Sequence, residues 1–382
     1  MKESQGCSSV PTTGSLERAA RFLSHWDSLW CWLKPACRFC CWSCGILSIA
    51  GMLLVMRSAE RVTLLAVANY APPIFWLIPC GILIPLALLV RGYSLVPLLS
   101  AISLWWLVFA GWEPSGGVRK SGGQSEVLTL MTYNRGQAQG HSLQPFLAET
   151  RPDIVALQDA RGKPGYYRTH PAYGVYHEVR DEGEFVLLSQ HPVLGQTRLT
   201  ASGFPPADKG EVFYGVRWEI DWQGRLISLY SIHFPSPRRQ LGRMGLRSLV
   251  PDMANWMRGT ASEADGYWQW RERMAGELAH LLQKETLPWI MVGDLNTPPR
   301  GLAYARLVEV GSDLHTECGS GFGFTFPGDT RNPLALGQPW LRLDYVFADP
   351  ASWQGKWLQP EAGALSQHRP LAAGLVLRGA IK

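Results

Sequence analysis

Three long apolar segments crowd the first 114 residues of this 382-residue chain, and no segment of similar length follows them. They cover residues 39–56, 62–90 and 95–111. A helix that crosses a bilayer needs roughly 20 mainly apolar residues, so the first and third segments are slightly short and need flanking Trp or Cys residues at the interface. The sequence therefore predicts a three-span membrane anchor over residues 39–111.

The middle segment is too short for two spans, which would need about 40 residues. Its four prolines, Pro72, Pro73, Pro79 and Pro85, predict a single tilted or kinked helix. A cleaved signal peptide is not expected, because the first apolar segment begins only after 38 residues and two more follow it. Three such segments in succession also favour membrane helices over buried helices of a soluble domain.

Basic residues around the apolar segments predict the orientation. One side would carry Lys2, Arg18, Arg21, Lys34, Arg38 and Arg91, and the other Arg57, Arg61, Arg119 and Lys120. Because cytoplasmic loops are enriched in Lys and Arg, this excess of six over four favours a cytoplasmic segment at residues 1–38. Three spans then place the following domain outside the cytoplasm.

A Gly- and Ser-rich linker at residues 112–125 leads into a domain that we expect at residues 126–382. From Pro114 onward the chain has 28 of its 36 Lys and Arg residues and 26 of its 31 Asp and Glu residues, a net charge of +2. This near-neutral balance argues against DNA binding driven by a strongly basic surface. A local basic cluster contains Arg238, Arg239, Arg243 and Arg247. Such a cluster fits a solvated helix face as well as a phosphate-binding surface.

Cysteine usage also differs between the two parts of the chain. Seven of the eight cysteines lie at or before Cys80, which leaves Cys318 alone in the domain and excludes an internal disulfide there. The stretch CRFCCWSC, from Cys37 to Cys44, contains two C-x-x-C pairs, but no His or acidic residue accompanies them. We therefore interpret these cysteines as small polarizable residues at a helix entrance rather than as zinc ligands.

Apolar strand patterns alternate with helical patterns along the domain. Strands are predicted at VLTLMTYN, DIVALQD, EFVLLSQ, VFYGVRWEI, LISLYSIHF, PWIMVGDLN, LRLDYVFAD and LAAGLVLR, and helices at 143–149, 267–284 and 302–308. The turn DWQGR between the fourth and fifth of these strands predicts an antiparallel hairpin. Hairpins mixed with strand–helix units predict an α/β sandwich with mixed sheets rather than a parallel Rossmann sheet.

Polar residues interrupt these strands mainly at their carboxyl ends. The residues concerned are Asn134, Asp159, His233, Asp294 and Asn296. Strand ends present side chains to a shared cleft, whereas a carboxylate in the core is strongly disfavoured. We expect these five residues to form one site. In the stretch LSQHRPLAAGL, His368 precedes an apolar strand, and the stretch alone fits an active-site histidine as well as a loop residue. The other histidines His170, His191 and His315 match no motif and are predicted to be surface loop residues.

The motifs MTYN, PDIVALQD, SIHFPSP, VGDLN, RLDYVFAD and SQHRP resemble, in this order, the endonuclease/exonuclease/phosphatase superfamily with its deoxyribonuclease I-like fold. The resemblance covers nearly all of residues 126–378. It implies a four-layer α/β sandwich of two mixed β-sheets flanked by helices, here preceded by three transmembrane helices as in membrane-anchored bacterial members. It also implies Mg²⁺- or Mn²⁺-dependent hydrolysis of a phosphodiester, in nucleic acid or in a phospholipid head group at the bilayer.

The resemblance further implies catalytic roles for five residues. Asp294 would activate or orient the attacking water, and Asn296 would hold the phosphate or the water. His233 and His368 would stabilise the charged oxygens, with Asp344 paired to His368. These roles suit an in-line attack on phosphate, which needs a placed base and hydrogen-bond donors around the developing charge.

The metal side of the site would comprise Asn134, Asp159 and Gln367. The family usually has Glu at the position of Asp159 and Asp at that of Gln367. A shorter side chain retracts its carboxylate by about one bond length, and Gln367 offers a carbonyl oxygen without the negative charge that attracts a cation. We therefore expect weakened metal affinity. The alternative is a catalytically impaired, membrane-anchored binding module that retains the fold and uses the same cleft.

Overall fold

The computed structural model describes residues 13–61, 63–114, 126–136, 143–160, 164–203, 210–242, 258, 263–328, 338–362 and 367–379. The chain divides into two compact units. The first comprises Met1–Met52 and Ile74–Trp105, and the second comprises Leu53–Pro73 and Trp106–Lys382. A short stretch between the first two apolar helices therefore folds with the domain rather than with the anchor.

The amino-terminal part of the described chain is helical. Its helices are α1 (Thr13–Ser58), α2 (Thr63–Tyr70), α3 (Ile78–Val90) and α4 (Leu95–Leu104), and α4 continues into a π-helical turn at Trp105–Phe109. Three stretches are long and apolar enough to cross a membrane, namely Trp30–Ser58, Pro73–Val90 and Gly92–Phe109. The prediction of three apolar helices ahead of the domain is confirmed, and their orientation stays a prediction.

The predicted middle segment, residues 62–90, is not one helix. Helix α2 ends at Tyr70, a 3₁₀ turn follows at Pro73–Leu77, and α3 then begins. Proline lacks a backbone N–H and disfavours helical geometry in the residue before it, so the pair Pro72–Pro73 separates the two helices. Only the part from Pro73 onward is long enough to span a bilayer.

The second unit contains two six-stranded sheets with strand orders β11-β12-β1-β2-β4-β3 and β5-β6-β7-β8-β10-β9. The pairs β1–β2 and β7–β8 are parallel, and the other neighbours are antiparallel, so both sheets are mixed as predicted. The strands are β1 (Val127–Asn134), β2 (Ile154–Gln158), β3 (Glu178–Glu182), β4 (Phe185–Ser189), β5 (Val193–Ser202), β6 (Glu211–Trp222), β7 (Arg225–His233), β8 (Trp289–Asp294), β9 (Ser312–Asp313), β10 (Asp344–Ala348), β11 (Trp353–Pro360) and β12 (Leu371–Leu377). The remaining helices are α5 (Gln144–Thr150), α6 (Pro164–Thr169), α7 (Arg238–Gly242), α8 (Glu263–Lys284), α9 (Leu302–Val308) and α10 (Leu314–Cys318).

Three clusters of buried apolar residues account for the layers. Side chains such as Leu130 of β1 and Val292 of β8 meet between the two sheets. Helix α8 covers the outer face of one sheet through residues such as Trp268, and α5 covers the other through Phe146. Each sheet is therefore buried on both faces, which explains why its central strands read as near-continuous apolar runs. The predicted sandwich of two mixed sheets flanked by helices is confirmed.

One partly buried ion pair on this scaffold gives the fold a predictable pH dependence. Arg217 Nε donates to Glu285 at 2.6 Å, and the Tyr230 hydroxyl donates to the same carboxylate at 2.7 Å. Burial alone would raise the pKa of Glu285, but these hydrogen bonds outweigh it and lower the pKa to about 2. A depressed carboxyl pKa adds stability above its unfolded value, near 4.3, and this stability is lost as the pH falls toward 2.

Glu285→Gln is therefore expected to lower the free energy of unfolding by about 2–3 kcal/mol at pH 7, and by progressively less toward pH 2. Thermal unfolding of the full chain in detergent, followed at several pH values between 7 and 2, measures this trend. Glu309→Gln is the control, because the Glu309 side chain is 60% exposed and its pair with Arg306 contributes little. Equal destabilisation by Glu285→Gln at every pH would contradict the assignment.

Candidate active site

The register of one sheet places three polar side chains beside one another. In the parallel pair β7–β8 His233 lies opposite Asp294, and in the antiparallel pair β8–β10 Asp344 lies opposite Asp294. A histidine and two carboxylates from three neighbouring strands therefore meet at one edge. Strands β7 and β8 end at His233 and Asp294, whereas the antiparallel strand β10 begins at Asp344. The buried run beside each polar residue fixes where that residue lies.

The other sheet brings its own polar ends to the same place. Strand β1 ends at Asn134, and Asp159 directly follows β2. Thr132 of β1 pairs with Leu371, the first residue of β12, so the residues that precede β12 lie at the carboxyl end of β1. The resulting cleft of about 360 Å³ is lined by Asn134, Gly136, Asp159, His233, Ser236, Arg238, Asp294, Asn296, Gln367 and His368. The structure thus brings seven of the eight predicted site residues to one cleft, with the eighth, Asp344, buried behind His368.

Asp294 lies at the centre of this group and is fully buried. Its Oδ2 accepts hydrogen bonds from the side-chain amides of Asn134 at 2.8 Å and Asn296 at 3.0 Å, and its Oδ1 accepts one from the Asn296 backbone N–H at 2.7 Å. Burial raises the pKa of Asp294, while the nearby His368 and His233 limit that rise. The surrounding donors fix the carboxylate in one orientation.

Two histidine–carboxylate pairs flank Asp294. His368 Nδ1 lies 2.8 Å from Asp344, and His233 Nδ1 lies 2.7 Å from Glu184. Their Nε2 atoms lie 3.6 Å and 3.7 Å from Asp294 Oδ2. Burial disfavours charge on both rings, but the carboxylates outweigh it, raising the pKa of His368 to about 9 and raising that of His233 above its ordinary value. Both rings therefore turn Nε2 toward Asp294 in the cleft, and the raised pKa values favour a proton there.

Glu184 was missed in the sequence analysis because it precedes a strand instead of ending one. Strand β4 runs antiparallel to β2, so the beginning of β4 lies at the carboxyl end of β2. The signal was present in the sequence, since Glu184 stands directly before the apolar run FVLLS. In an antiparallel pair, the first residue of one strand lies beside the last residue of the other, so a polar residue at either place reaches the same edge of the sheet.

The VGDLN stretch has a local geometry that its residues explain. Gly293 has φ +131, and a Cβ there would lie 2.0 Å from the carbonyl oxygen of Ile232, so only glycine lets β7 approach β8 this closely. Asn296 adopts φ +47, in the left-handed region that asparagine tolerates well. That conformation turns both its backbone N–H and its side chain toward Asp294.

The residues predicted to form the metal side fit a hard divalent cation. Asp159 is partly exposed, and its carboxylate has no hydrogen bond or ion pair within the part of the chain that the structure describes. Asn134 Oδ1 accepts one hydrogen bond, from the Gly136 backbone at 2.8 Å, and keeps a second lone pair. Gln367 Oε1 lies 3.3 Å from an Arg238 nitrogen. All three supply the oxygen ligands that Mg²⁺ and Mn²⁺ prefer.

A second group of potential ligands lies deeper. Single ligand atoms of Asp294, Asp344 and His368 fall within 4.8 Å of one another. However, the 2.8 Å hydrogen bond between His368 and Asp344 occupies an atom of each residue. We therefore interpret this group as a hydrogen-bonded cluster, and Asn134, Asp159 and Gln367 form the more open side of the cleft.

Outside the cleft, the prediction for His315 was wrong. It is buried, on α10, and a Cβ on Gly323 would lie 2.5 Å from its ring. Burial, together with the nearby Arg342, lowers the pKa of His315 to about 4, so it packs as a neutral core residue. Of the predicted basic cluster, Arg238 and Arg239 lie on α7, whereas Arg243 and Arg247 lie outside the described residues.

Comparison with known proteins agrees with this geometry. A family model described as the endonuclease/exonuclease/phosphatase family matches residues 122–368. No curated protein matches the chain.

Solved structures show similarity at low identity. An endonuclease/exonuclease/phosphatase family protein from Bacteroides thetaiotaomicron is 17% identical over 66% of this chain and 99% of its own, with a TM-score of 0.45. D. rerio TDP2, humanized by 14 mutations, is 16% identical over 65% and 98%, with a TM-score of 0.44. Mannosyl-6-phosphatase Bt3783 from Bacteroides thetaiotaomicron is 16% identical over 65% and 99%, with a TM-score of 0.43. Because the family model matches well over half of its residues, the chain belongs to the endonuclease/exonuclease/phosphatase family.

Proposed function

We propose that the chain is a membrane-anchored, Mg²⁺- or Mn²⁺-dependent phosphoesterase that hydrolyses phosphodiester bonds. Members of its family are generally hydrolases that act on phosphoesters. The observation that carries the proposal is the buried Asp294 flanked by the pairs His368–Asp344 and His233–Glu184. Burying several ionisable side chains together costs desolvation free energy. Such a group suits a reaction in which charge develops on a substrate.

Each of these side chains has a task in an in-line hydrolysis. Asp294 orients the attacking water and accepts its proton, while the Asn296 amide holds the carboxylate in place. His233 and His368 donate from Nε2 to the phosphate oxygens that gain charge. Asp344 fixes the orientation of the His368 ring through Nδ1.

The cation would be held by Asn134, Asp159 and Gln367. When bound, it supplies positive charge to the phosphate oxygens. Arg238 lies at the same side of the cleft, 3.3 Å from Gln367, and would contact the phosphate as a second positive group.

The charge and the anchor favour a substrate at the membrane. The chain from Pro114 onward has a net charge of only +2, which gives little support for a long nucleic-acid track. The linker predicted at residues 112–125 spans only tens of ångströms, which keeps the cleft near the bilayer. A phospholipid head group is therefore favoured over nucleic acid.

The proposed topology is a multi-pass membrane protein with its catalytic domain outside the cytoplasm. Three spans put the connection between the first and second helices on the same side as the domain. This agrees with the grouping of Leu53–Pro73 with the domain in one compact unit. The excess of basic residues on the opposite side supports a cytoplasmic amino terminus.

The test is hydrolysis by the full chain in lipid nanodiscs. The substrates are bis-p-nitrophenyl phosphate, phospholipids, and single- and double-stranded DNA, each with Mg²⁺, with Mn²⁺ and with EDTA. We expect metal-dependent cleavage of the diester and of a phospholipid, lost with EDTA and restored by added metal. Absence of cleavage of every substrate with either metal would overturn the proposal.

A second candidate is the impaired binding module, which is favoured by the contact of Gln367 Oε1 with Arg238. That contact engages an oxygen expected to serve the cation. Calorimetry separates the two candidates, because a module that has lost catalysis should bind no Mn²⁺ at millimolar concentrations, whereas the enzyme should bind it.

Gln367→Asp is expected to tighten Mn²⁺ binding about tenfold, because a carboxylate adds charge that attracts the cation. The gain is smaller if the introduced carboxylate pairs with Arg238 instead. Titration calorimetry on the full chain measures the affinity directly. Gln269→Asp is the matched control, since Gln269 is exposed on α8 outside the cleft. Equal affinities for the wild type and Gln367→Asp would remove position 367 from the metal site.

A further inference from the structure

The juxtamembrane stretch Leu53–Pro73 runs from the last residues of the first apolar helix to the start of the second, and it belongs to the same compact unit as the domain. Ala66 of α2 is fully buried in the core on the α8 side of the sandwich. The Trp268 indole of α8 donates to the Thr63 hydroxyl at 3.3 Å. This juxtamembrane stretch is therefore an integral part of the domain core.

Glu60 is the acidic residue of this stretch, and it is 1% exposed. Its Oε1 accepts from the Thr297 hydroxyl at 2.6 Å, and its Oε2 accepts from the Ala303 backbone N–H at 3.2 Å. Arg271 of α8, itself fully buried, lies 3.6 Å from the same carboxylate. Glu60 thus joins the two ends of the loop that follows β8 and carries Asn296.

Tyr70 contacts the same loop at Asn296, the residue that also hydrogen-bonds to Asp294. Its hydroxyl donates to the Asn296 carbonyl at 2.6 Å, accepts from Arg271 at 3.0 Å, and lies 3.1 Å from Glu60. Arg271 also donates to the carbonyls of Leu295 and Asn296, at 2.9 Å and 2.8 Å. The carbonyl of Asn296 is therefore fixed by Tyr70 and Arg271, while its side-chain amide and backbone N–H donate to Asp294.

The far end of the loop is held in the same way. Arg300 donates to the side-chain and backbone oxygens of Asn69 at 3.1 Å and 3.2 Å, and to the Phe109 carbonyl at 2.7 Å. Its guanidinium also lies 4.4 Å from the centre of the Phe109 ring. Burial lowers the pKa of Arg300 to about 10, which leaves it charged at neutral pH. Asn69, which precedes the second apolar helix, and Phe109, the last residue of the third, therefore both contact the loop.

We propose that Glu60 and Tyr70, from the stretch between the first two apolar helices, are positioning residues that hold the Asn296 backbone and so orient Asp294. The inference rests on the proposed function, and it makes the juxtamembrane stretch a component of the catalytic site rather than a tether. A buried ion pair such as Glu60–Arg271 is seldom more stabilising than well-packed apolar residues, so bulk stability alone does not account for it. Fixing one loop geometry does account for it.

A Tyr70→Phe variant of the full chain in nanodiscs tests the inference, because it removes the hydroxyl and keeps the ring packed near Trp268, 5.9 Å between centroids. The matched control is Tyr176→Phe. Tyr176 is also buried, and its hydroxyl donates to a backbone carbonyl, that of Pro152, at 3.0 Å outside the cleft-lining residues. Both variants lose one buried hydroxyl–carbonyl hydrogen bond, and Tyr70→Phe also loses the contacts with Arg271 and Glu60. A purely structural role would lower the stability of both variants and leave kcat of the folded protein unchanged.

Two readouts are compared, namely steady-state kinetics on bis-p-nitrophenyl phosphate and hydrogen exchange of the backbone amides in residues 295–303. We expect Tyr70→Phe to lower kcat about tenfold with KM changed less than twofold, and to speed exchange in residues 295–303. Tyr176→Phe should leave both readouts at the wild-type level. Glu60→Gln should produce the larger loss in kcat, and if it does not fold, Tyr70→Phe decides the question alone.

Equal kcat values and equal exchange in the Tyr70→Phe and Tyr176→Phe variants would overturn the inference. If the wild-type chain hydrolysed no substrate, the proposed function would be wrong. The positioning role could still be tested, because hydrogen exchange needs no turnover. In that case, faster exchange in residues 295–303 of Tyr70→Phe alone would still establish that this residue positions the loop. Unchanged exchange would reject it.

Discussion

Asp294→Ala is expected to lower kcat/KM for bis-p-nitrophenyl phosphate about a thousandfold or more. The variant removes the group that we propose orients the attacking water. It also leaves the Asn134 and Asn296 amides without the acceptor that they share at 2.8 Å and 3.0 Å. Loss of one preorganised electrostatic contact costs about a hundred- to a thousandfold, and loss of a central catalytic group costs more. Initial rates with the full chain in nanodiscs, at saturating Mg²⁺ or Mn²⁺, measure the effect.

Asp181→Ala is the matched control, because Asp181 is a partly exposed residue of β3 in a surface pair with Arg168. It should retain activity within about twofold, since exposed ion pairs contribute little. Circular dichroism of both variants separates loss of catalysis from loss of fold. If a folded Asp294→Ala protein kept a tenth of the wild-type rate, Asp294 could not be the group that orients the water.

Strands buried on both faces were the easiest elements to predict. The runs VLTLMTYN and PWIMVGDLN are apolar almost throughout, and their residues form β1 and β8 at the centres of the two sheets. All four edge strands, β3, β5, β9 and β11, were missed. Sequences such as EVRDE carry charges on a solvated edge, where apolar periodicity gives no signal. Apolar periodicity therefore predicts a strand best where the strand has neighbours on both sides.

The candidate site was predictable to the extent that it depends on strand ends. Asn134, His233 and Asp294 terminate their strands in the structure, and the sheet register then brings them together. Long-range pairing is different, because no local pattern tells which carboxylate reaches which histidine. Glu184 contacts His233 only because β4 lies antiparallel to β2.

The contribution of the juxtamembrane stretch could not be predicted for a similar reason. Residues 62–90 read as one apolar run, so Tyr70 appeared to lie inside a membrane helix. The structure separates α2 from α3 and brings Tyr70 to the carbonyl of Asn296, 226 positions away. A domain boundary drawn from composition at residue 126 therefore omits side chains that contact the loop after β8.

The second large effect is expected at His368. His368→Ala should lower kcat about a hundred- to a thousandfold and change KM only a few-fold, because the Nε2–H stabilises charge that develops in the transition state. The ring lies at the edge of the cleft with Nδ1 held by Asp344 and one face near Phe326, 4.9 Å between centroids. His280→Ala, on the exposed face of α8, should leave both constants unchanged.

The pairing of His368 with Asp344 makes a sharper test possible. If Asp344 acts only through the ring of His368, Asp344→Asn should lower kcat in the wild type but cause no further loss in the His368→Ala background. Residues that work as one unit show this non-additivity, whereas independent residues multiply their effects. A double variant whose loss equals the product of the single losses would show that Asp344 acts on the substrate, or on Asp294, by a route that does not pass through His368. A loss equal to that of His368→Ala alone would place the two residues in series.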